Sequence, residues 1–159
     1  MELYRTDDDF MRLALAQAQM ARAQQEVPIG AIVVWNGEVV GVGYNLRETW
    51  RDPTAHAELI AIQSASRRLG AWRLTECDLY VTLEPCPMCA GAIMLSRIRR
   101  LIYGADDPKG GAVMSKLPLL EPGLWNHAPI ITSGVLGQDC ANILREFFKG
   151  MRERRKNLD

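Results

Sequence analysis

Two short stretches carry residue types that can do chemistry together. The first is His56-Ala57-Glu58, at the end of Asp52-Pro53-Thr54-Ala55-His56-Ala57-Glu58; the second is Pro85-Cys86-Pro87-Met88-Cys89. One imidazole nitrogen and two thiolates are ligands that borderline-soft Zn²⁺ prefers. Three protein ligands leave one of four tetrahedral positions open, which is the catalytic rather than the structural arrangement. Two thiolates cancel the formal charge of the metal and make it a milder Lewis acid than a three-histidine site. It still lowers the pKa of a bound water from ~15.7 toward ~7. Glu58 is then the candidate base for the released proton. Residues two apart lie roughly 200° around a helix. His56 and Glu58 therefore converge only if the metal sits off the helix N-terminus rather than beside the helix. The same residues have plainer readings. A lone CxxC also serves as a redox pair or a structural zinc knuckle, with Cys77 or Cys140 closing the site as a fourth ligand, and a lone Glu58 is a solvated helix residue.

The flanking pattern supplies elements to hold these groups. Phe10, Leu13, Ala14, Ala18 and Ala21 recur at helical spacing, so a helix is expected from Asp7 to about Gln24, with Gln17 interrupting its face and Asp7, Asp8 and Asp9 suiting its N-terminus. Val27 to Trp35 is a β-branched run expected as a strand buried on both faces, and Asn36-Gly37 is a hairpin signal returning through Val39 to Tyr44. Leu46 to Pro53 reads as a loop, followed by a helix from about Thr54 to Leu69 with Gly70 as its stop. Asp78 to Leu83 is a second buried strand, turning through Glu84-Pro85 into a helix from about Pro87 to Arg97, and Arg100 to Gly104 is a third. His56, Cys86 and Cys89 thus fall at two helix N-termini, whose dipoles favour thiolates and developing negative charge. Gly41 and Gly43 resemble a dinucleotide fingerprint, but position 46 is Leu and no helix starts there, which excludes that reading.

Ala105 to Leu124 is a long irregular stretch, either a functional loop or a plain surface loop. Ile130-Ile131-Thr132 suits a short edge strand. Gln138 to about Arg155 suits a final helix with Leu144, Phe147, Phe148 and Met151 near one face. Its basic end, Lys149, Arg152, Arg154, Arg155 and Lys156, is either a solvated terminus complementing the dipole or a phosphate-contacting tail. Strands and helices alternating after an opening hairpin imply an α/β fold: a central mixed sheet of about five strands, helices on both sides, and the site at the strand ends where the ligand-bearing helices begin.

Composition bounds the rest. With 159 residues, 48% hydrophobic and 24% charged, one globular domain spanning 1–159 is expected. No apolar run is long enough for a membrane span, and the acidic start lacks the apolar stretch of a signal peptide. Four cysteines, two in a ligand motif, suit a reducing cytoplasmic compartment better than a disulfide framework. A formal net charge of zero excludes a generic polyanion binder, so any nucleic-acid contact must use local basic patches.

The combined signature His-x-Glu…Pro-Cys-x-x-Cys is that of zinc deaminases acting on nucleobases. On it the chain resembles the cytidine/deoxycytidylate deaminase superfamily. Glu26-Val27-Pro28-Ile29-Gly30-Ala31, the run from Asp52 to Glu58, the run from Leu79 to Ala92 and Asn126-His127 extend the likeness over nearly the whole chain. The loop Asp106-Asp107-Pro108-Lys109-Gly110-Gly111 and the Phe147-Phe148-Lys149…Arg152 end narrow it to the bacterial tRNA-specific adenosine deaminase family (TadA). The resemblance implies a three-layer α/β/α domain, a homodimer with one Zn²⁺ per subunit, and conversion of adenosine to inosine at the wobble position of the arginine tRNA with anticodon ACG. It implies that His56, Cys86 and Cys89 hold zinc and that Glu58 shuttles protons. Asn45 and Ala57 would contact the flipped base. Asp107, Lys109, Asn126, Phe148 and Arg152 would contact the anticodon loop. His127 is expected to be a packing or hydrogen-bonding residue. The rival readings are a deaminase of the same fold acting on free guanine, cytosine or a nucleotide, and a non-enzymatic zinc-stabilised module.

Overall fold

A computed structural model describes residues 5–158. Residues 1–4, within the segment read for a leader, and residue 159 lie outside the described residues. Helix α1 spans Asp7–Ala23, strand β1 Gly30–Trp35, β2 Glu38–Tyr44, helix α2 Ala57–Leu69, β3 Cys77–Leu83, α3 Pro87–Leu95, β4 Arg100–Ala105, β5 Ile130–Thr132 and α4 Gly137–Lys156. The strands form one five-stranded sheet in the order β2-β1-β3-β4-β5. β1 is antiparallel to β2 and β3, whereas β3, β4 and β5 run parallel. Asn36 and Gly37 both take positive φ, 51° and 78°, as a tight hairpin turn requires.

Period-two alternation sorts the sheet residues into two cores. Ala31, Val33, Leu79, Val81, Leu101 and Tyr103 face the core built with α2 and α3, whereas Ile32, Val34, Tyr80 and Ile102 face the one built with α1 and α4. The fold is therefore the expected three-layer α/β/α sandwich. Ala112, Val113 and Leu120 are buried in the α2/α3 core, so the segment after β4 is packed against the domain rather than lying loosely on its surface.

The element boundaries differ from expectation in instructive ways. β1 begins at Gly30 rather than Val27, because Gly30 is where pairing with Tyr44 begins. α2 begins at Ala57 rather than Thr54, since Asp52 caps a turn whose Oδ1 accepts the Thr54 amide at 2.8 Å and the Thr54 hydroxyl at 2.7 Å. α3 stops at Leu95 rather than Arg97. There the Ser96 hydroxyl bonds back to the Ala92 carbonyl at 2.8 Å, and Arg97 has a φ of 64°. On α1, Leu13 is 37% exposed and Met11 is fully buried in its place. Thr6 supplies the α1 cap and Asp9 completes a capping box, while Asp7 is turned to Arg100 and Tyr80. On α4 the buried residues are Cys140, Ile143 and Phe147, and Phe148 projects outward.

Gly41 and Gly43 have a packing role. A Cβ on Gly41 would strike the Ala61 carbonyl, and one on Gly43 the Ala57 carbonyl. Glycine lets the α2 backbone sit directly on β2, and this seats the first turn of α2, with Glu58, at the edge of the sheet.

Candidate active site

His56 is the N-cap of α2 and Cys86 the N-cap of α3, and neither side chain makes a capping hydrogen bond. An N-cap is usually a residue whose side chain satisfies a free amide of the first turn. Here both side chains are turned away from that task and toward each other. His56 Nδ1 lies 3.6 Å from Cys86 Sγ and 3.6 Å from Cys89 Sγ. Ligands of a tetrahedral thiolate–imidazole zinc site, with bonds of about 2.3 and 2.0 Å, are separated by roughly 3.6 Å. The three donors therefore fit a tetrahedral metal, and among the described residues this is the group of His, Cys, Asp and Glu side chains placed to hold one. Cys77 and Cys140 do not join it. Cys77 opens β3 at the end away from the Pro85–Cys86 turn, and Cys140 is buried in the α1/α4 core.

The three donors share protons, with Cys86 as the thiolate and Cys89 and His56 as its donors. The Cys89 thiol bonds to Cys86, which brings Cys86 down to about 4 against the opposing effect of burial, and His56 contributes in the same direction. Cys89 is raised correspondingly by that same bond and by burial, and His56 is raised by Cys86. A cation among these atoms would replace the shared proton.

Glu58 lies in the first turn of α2, is 4% exposed, and lines the same pocket as His56 and Cys86. Its burial pushes the carboxyl up to about 7, against the pull of its own backbone amide. The pocket, about 510 Å³, is also lined by Val27, Ile29, Leu83 and Leu144 and by the polar residues Asn45, Arg47, Glu84, Asp107 and Lys109. Such a cavity, largely apolar with convergent polar groups, suits a flat heterocycle.

The other residues singled out from the sequence divide. Asn45 and Ala57 line the pocket. Asn45 is nearly buried, its amide donating to the Val27 carbonyl at 3.2 Å and its oxygen accepting the Arg47 amide at 3.1 Å. Asp107, Lys109 and Phe148 stand at the pocket's edge. Lys109 and Phe148 also line a neighbouring groove of about 640 Å³ with Arg145, Glu146, Lys149 and Arg152. The acid in that groove, Glu146, is paired with Arg22 at 3.0 Å, leaving the lining basic. Asn126 is exposed and lines neither cavity. Nor do Arg154, Arg155 and Lys156, which complement the dipole in the last turn of α4. His127 is a hydrogen-bonding residue, its Nε2 donating to the Ile98 carbonyl at 2.6 Å.

Sequence reasoning missed two carboxylates. Glu84 is 2% exposed and Glu26 1%. Glu84 accepts the amides of Asp107, Val113, Met114 and Ser115. Burial works against its charge, but the Ser115 hydroxyl and these amides outweigh it and hold the carboxyl down at about 2. Glu26 accepts the amides of Glu48 and Thr49 at 3.1 and 2.7 Å. The available signal was a charged residue abutting a buried strand run in each case, which alone does not name a partner.

The MafB19-like deaminase family matches residues 5–152 of this chain. The tRNA-specific adenosine deaminase of Bacillus subtilis is 46% identical over 150 residues, 94% of this chain and 93% of the relative. That of Agrobacterium fabrum is 50% identical over 143 residues, 90% of this chain and 94% of the relative. The chain belongs to the tRNA-specific adenosine deaminase family. A solved structure from a study of A-to-I editing by tRNA:A34 deaminases at the wobble position of transfer RNA superposes with a TM-score of 0.82 at 50% identity, covering 85% of this chain and 98% of that one. As a member of this deaminase family the chain is an enzyme, and among its described residues no helix is long and apolar enough to cross a membrane.

Proposed function

We propose that this chain is a zinc-dependent tRNA adenosine deaminase that converts adenosine to inosine at the wobble position of the arginine tRNA with anticodon ACG. The observation that carries the reading is one pocket joining a His56–Cys86–Cys89 triangle to the Glu58 carboxyl and opening, past Lys109 and Phe148, onto a basic groove. His56, Cys86 and Cys89 would hold zinc, which when bound supplies Lewis-acid polarisation of the attacking water.

The chain's own part in the reaction is proton handling and orientation. Glu58 takes a proton as water adds to C6 of the adenine and delivers it to N1. It then takes the remaining proton from the new C6 hydroxyl and passes it to the exocyclic nitrogen, which leaves as ammonia as the C6–O bond becomes the carbonyl of inosine. A carboxyl with a pKa near neutrality suits both directions of transfer. Asn45 and the Ala57 backbone hold the base edge, and Val27, Ile29, Leu83 and Leu144 exclude bulk water from it. A base stacked in an anticodon loop cannot reach this depth, so the nucleotide is splayed out. Phe148 offers a stacking face. Lys109 and Arg152 meet phosphates, and Asp107 and Asn126 contact other loop groups.

The enzyme acts as a cytoplasmic homodimer. Leu95, Met114, Leu117, Leu124 and Trp125, each more than half exposed, supply apolar surface for a second copy. The test is deamination of an in vitro transcript of that tRNA, read by sequencing as A-to-G at the wobble position. Free adenosine, guanine and cytosine run in parallel, and Glu58→Ala is the control. Glu58-dependent inosine at that one position is the expected result. Ammonia from a free base without tRNA product would overturn the substrate assignment.

A further inference from the structure

Two loops form the polar rims of the pocket. One follows β2 and carries Asn45 and Arg47; the other follows β4 and carries Asp107 and Lys109. Neither has regular secondary structure to fix it. Each instead closes over a buried carboxylate, Glu84 directly after β3 and Glu26 in the connection between α1 and β1. On the β4 side, Glu84 Oε1 accepts the Asp107 amide at 3.0 Å and the Ser115 hydroxyl, and Oε2 accepts the Val113, Met114 and Ser115 amides at 3.2, 2.9 and 2.9 Å. Asp107 passes the constraint on, since its own Oδ1 accepts the Lys109 and Gly110 amides, each at 3.1 Å. Gly111 lies so close over the Glu84 carboxyl that no Cβ would fit there. On the β2 side, Glu26 receives the Glu48 and Thr49 amides.

We propose that Glu26 and Glu84 are positioning residues that hold the two rims of the pocket in register with His56, Cys86 and Glu58. The inference deepens the proposed function and rests on it for the identity of the substrate. Burying two carboxylates is costly unless each is met by donors, and here the donors are backbone amides of the segments that carry the pocket's polar side chains. Glu84 is particularly placed for this role. It immediately precedes Pro85-Cys86, so one turn both presents a metal ligand and grips the loop that bears Asp107 and Lys109. Preorganised rims keep the cost of ordering the loops out of substrate binding.

The test uses the full-length zinc-loaded enzyme with Glu84→Gln and Glu26→Gln, plus Ser115→Ala as a milder probe of the same clasp. In a glutamine, an NH₂ replaces one acceptor and faces an amide donor. Amide hydrogen exchange should speed up across residues 107–115 in Glu84→Gln and Ser115→Ala, and across 48–49 in Glu26→Gln, each without change in the other rim. Zinc content should stay at the wild-type value. With tRNA as substrate, KM should rise on the order of tenfold in each glutamine variant while kcat changes far less, because neither loop contains His56, Cys86, Cys89 or Glu58. A purely structural role would lower the active fraction, reducing apparent kcat with KM unchanged. That result, or exchange that does not localise to the named amides, overturns the inference. Wild-type enzyme without tRNA turnover would overturn the substrate reading instead, and the exchange pattern would still decide the positioning role.

Discussion

Gly43 of β2 lies against the main-chain carbonyl of Ala57, at a separation that leaves no room for a Cβ. This contact sets how far the first turn of α2 stands from the sheet, and Glu58 belongs to that turn. Gly43→Ala should push the helix start outward. The expected cost is about 1–3 kcal/mol of stability, read as a lower denaturation midpoint. Because catalytic groups tolerate little displacement, kcat should fall more than the folded fraction does. Equal losses in both would show that the contact matters for stability alone.

Under the proposed assignment, with His56, Cys86 and Cys89 as the candidate ligands, Glu58→Ala should bind zinc as the wild type does and should lose turnover by roughly 10²–10⁴-fold. Metal analysis alongside the wobble-inosine assay checks both halves. Loss of zinc together with activity would place Glu58 in the metal's support rather than in proton transfer.

Metal removal should destabilise the fold, because a metal held by the proposed ligands would tie the starts of α2 and α3, where His56 and Cys86 sit, together. A chelator should lower Tm on the order of 10 °C, and added zinc should restore it. Cys86→Ser should reproduce the lower Tm and resist restoration. An unchanged Tm on chelation would mean that the site is not loaded.

Lys109→Ala and Arg152→Ala should each weaken tRNA binding and flatten its salt dependence by roughly 0.7 in log–log slope, the value for one phosphate contact on single-stranded nucleic acid. Arg155→Ala, outside the groove, should leave the slope unchanged. Titration of binding against salt concentration separates the two groups.

At the far end of the sheet, Asp7 accepts the Tyr80 hydroxyl at 2.7 Å and pairs with Arg100 at 2.9 Å. The Arg100 hydrogen bond is the main reason its carboxyl lies below the ordinary 3.8, and the Tyr80 hydroxyl adds to it against burial. A carboxyl whose folded pKa is depressed stabilises the fold above its unfolded value and loses that contribution as pH falls through the folded one. The stability difference between wild type and Asp7→Asn should therefore be full, at about 1 kcal/mol for a partly exposed pair, from neutral pH down to about pH 4, and should shrink below it. Denaturant melts at pH 7 and pH 3 provide the check. A constant difference would assign the effect to packing.

The sequence by itself determined the layers and singled out the candidate metal donors and the candidate base. Period-two and helical spacing are local, and His56-Ala57-Glu58 and Pro85-Cys86-Pro87-Met88-Cys89 each fit in a handful of residues. The hairpin at Asn36-Gly37 and the stop at Gly70 were legible because positive φ has a strong residue preference. Tertiary structure decided what depended on distant partners. It made Gly41 and Gly43 the seat of α2, a role that exists only where the α2 backbone meets β2. It separated Lys149 and Arg152, which line the groove, from Arg154, Arg155 and Lys156, because a helix turns its residues to different sides. It left Asn126 outside both cavities despite its matching motif. It also gave Glu26 and Glu84 their partners, amides that lie 22 or more residues away and carry no side-chain signature. A backbone donor is invisible in a sequence, because every residue but proline has one.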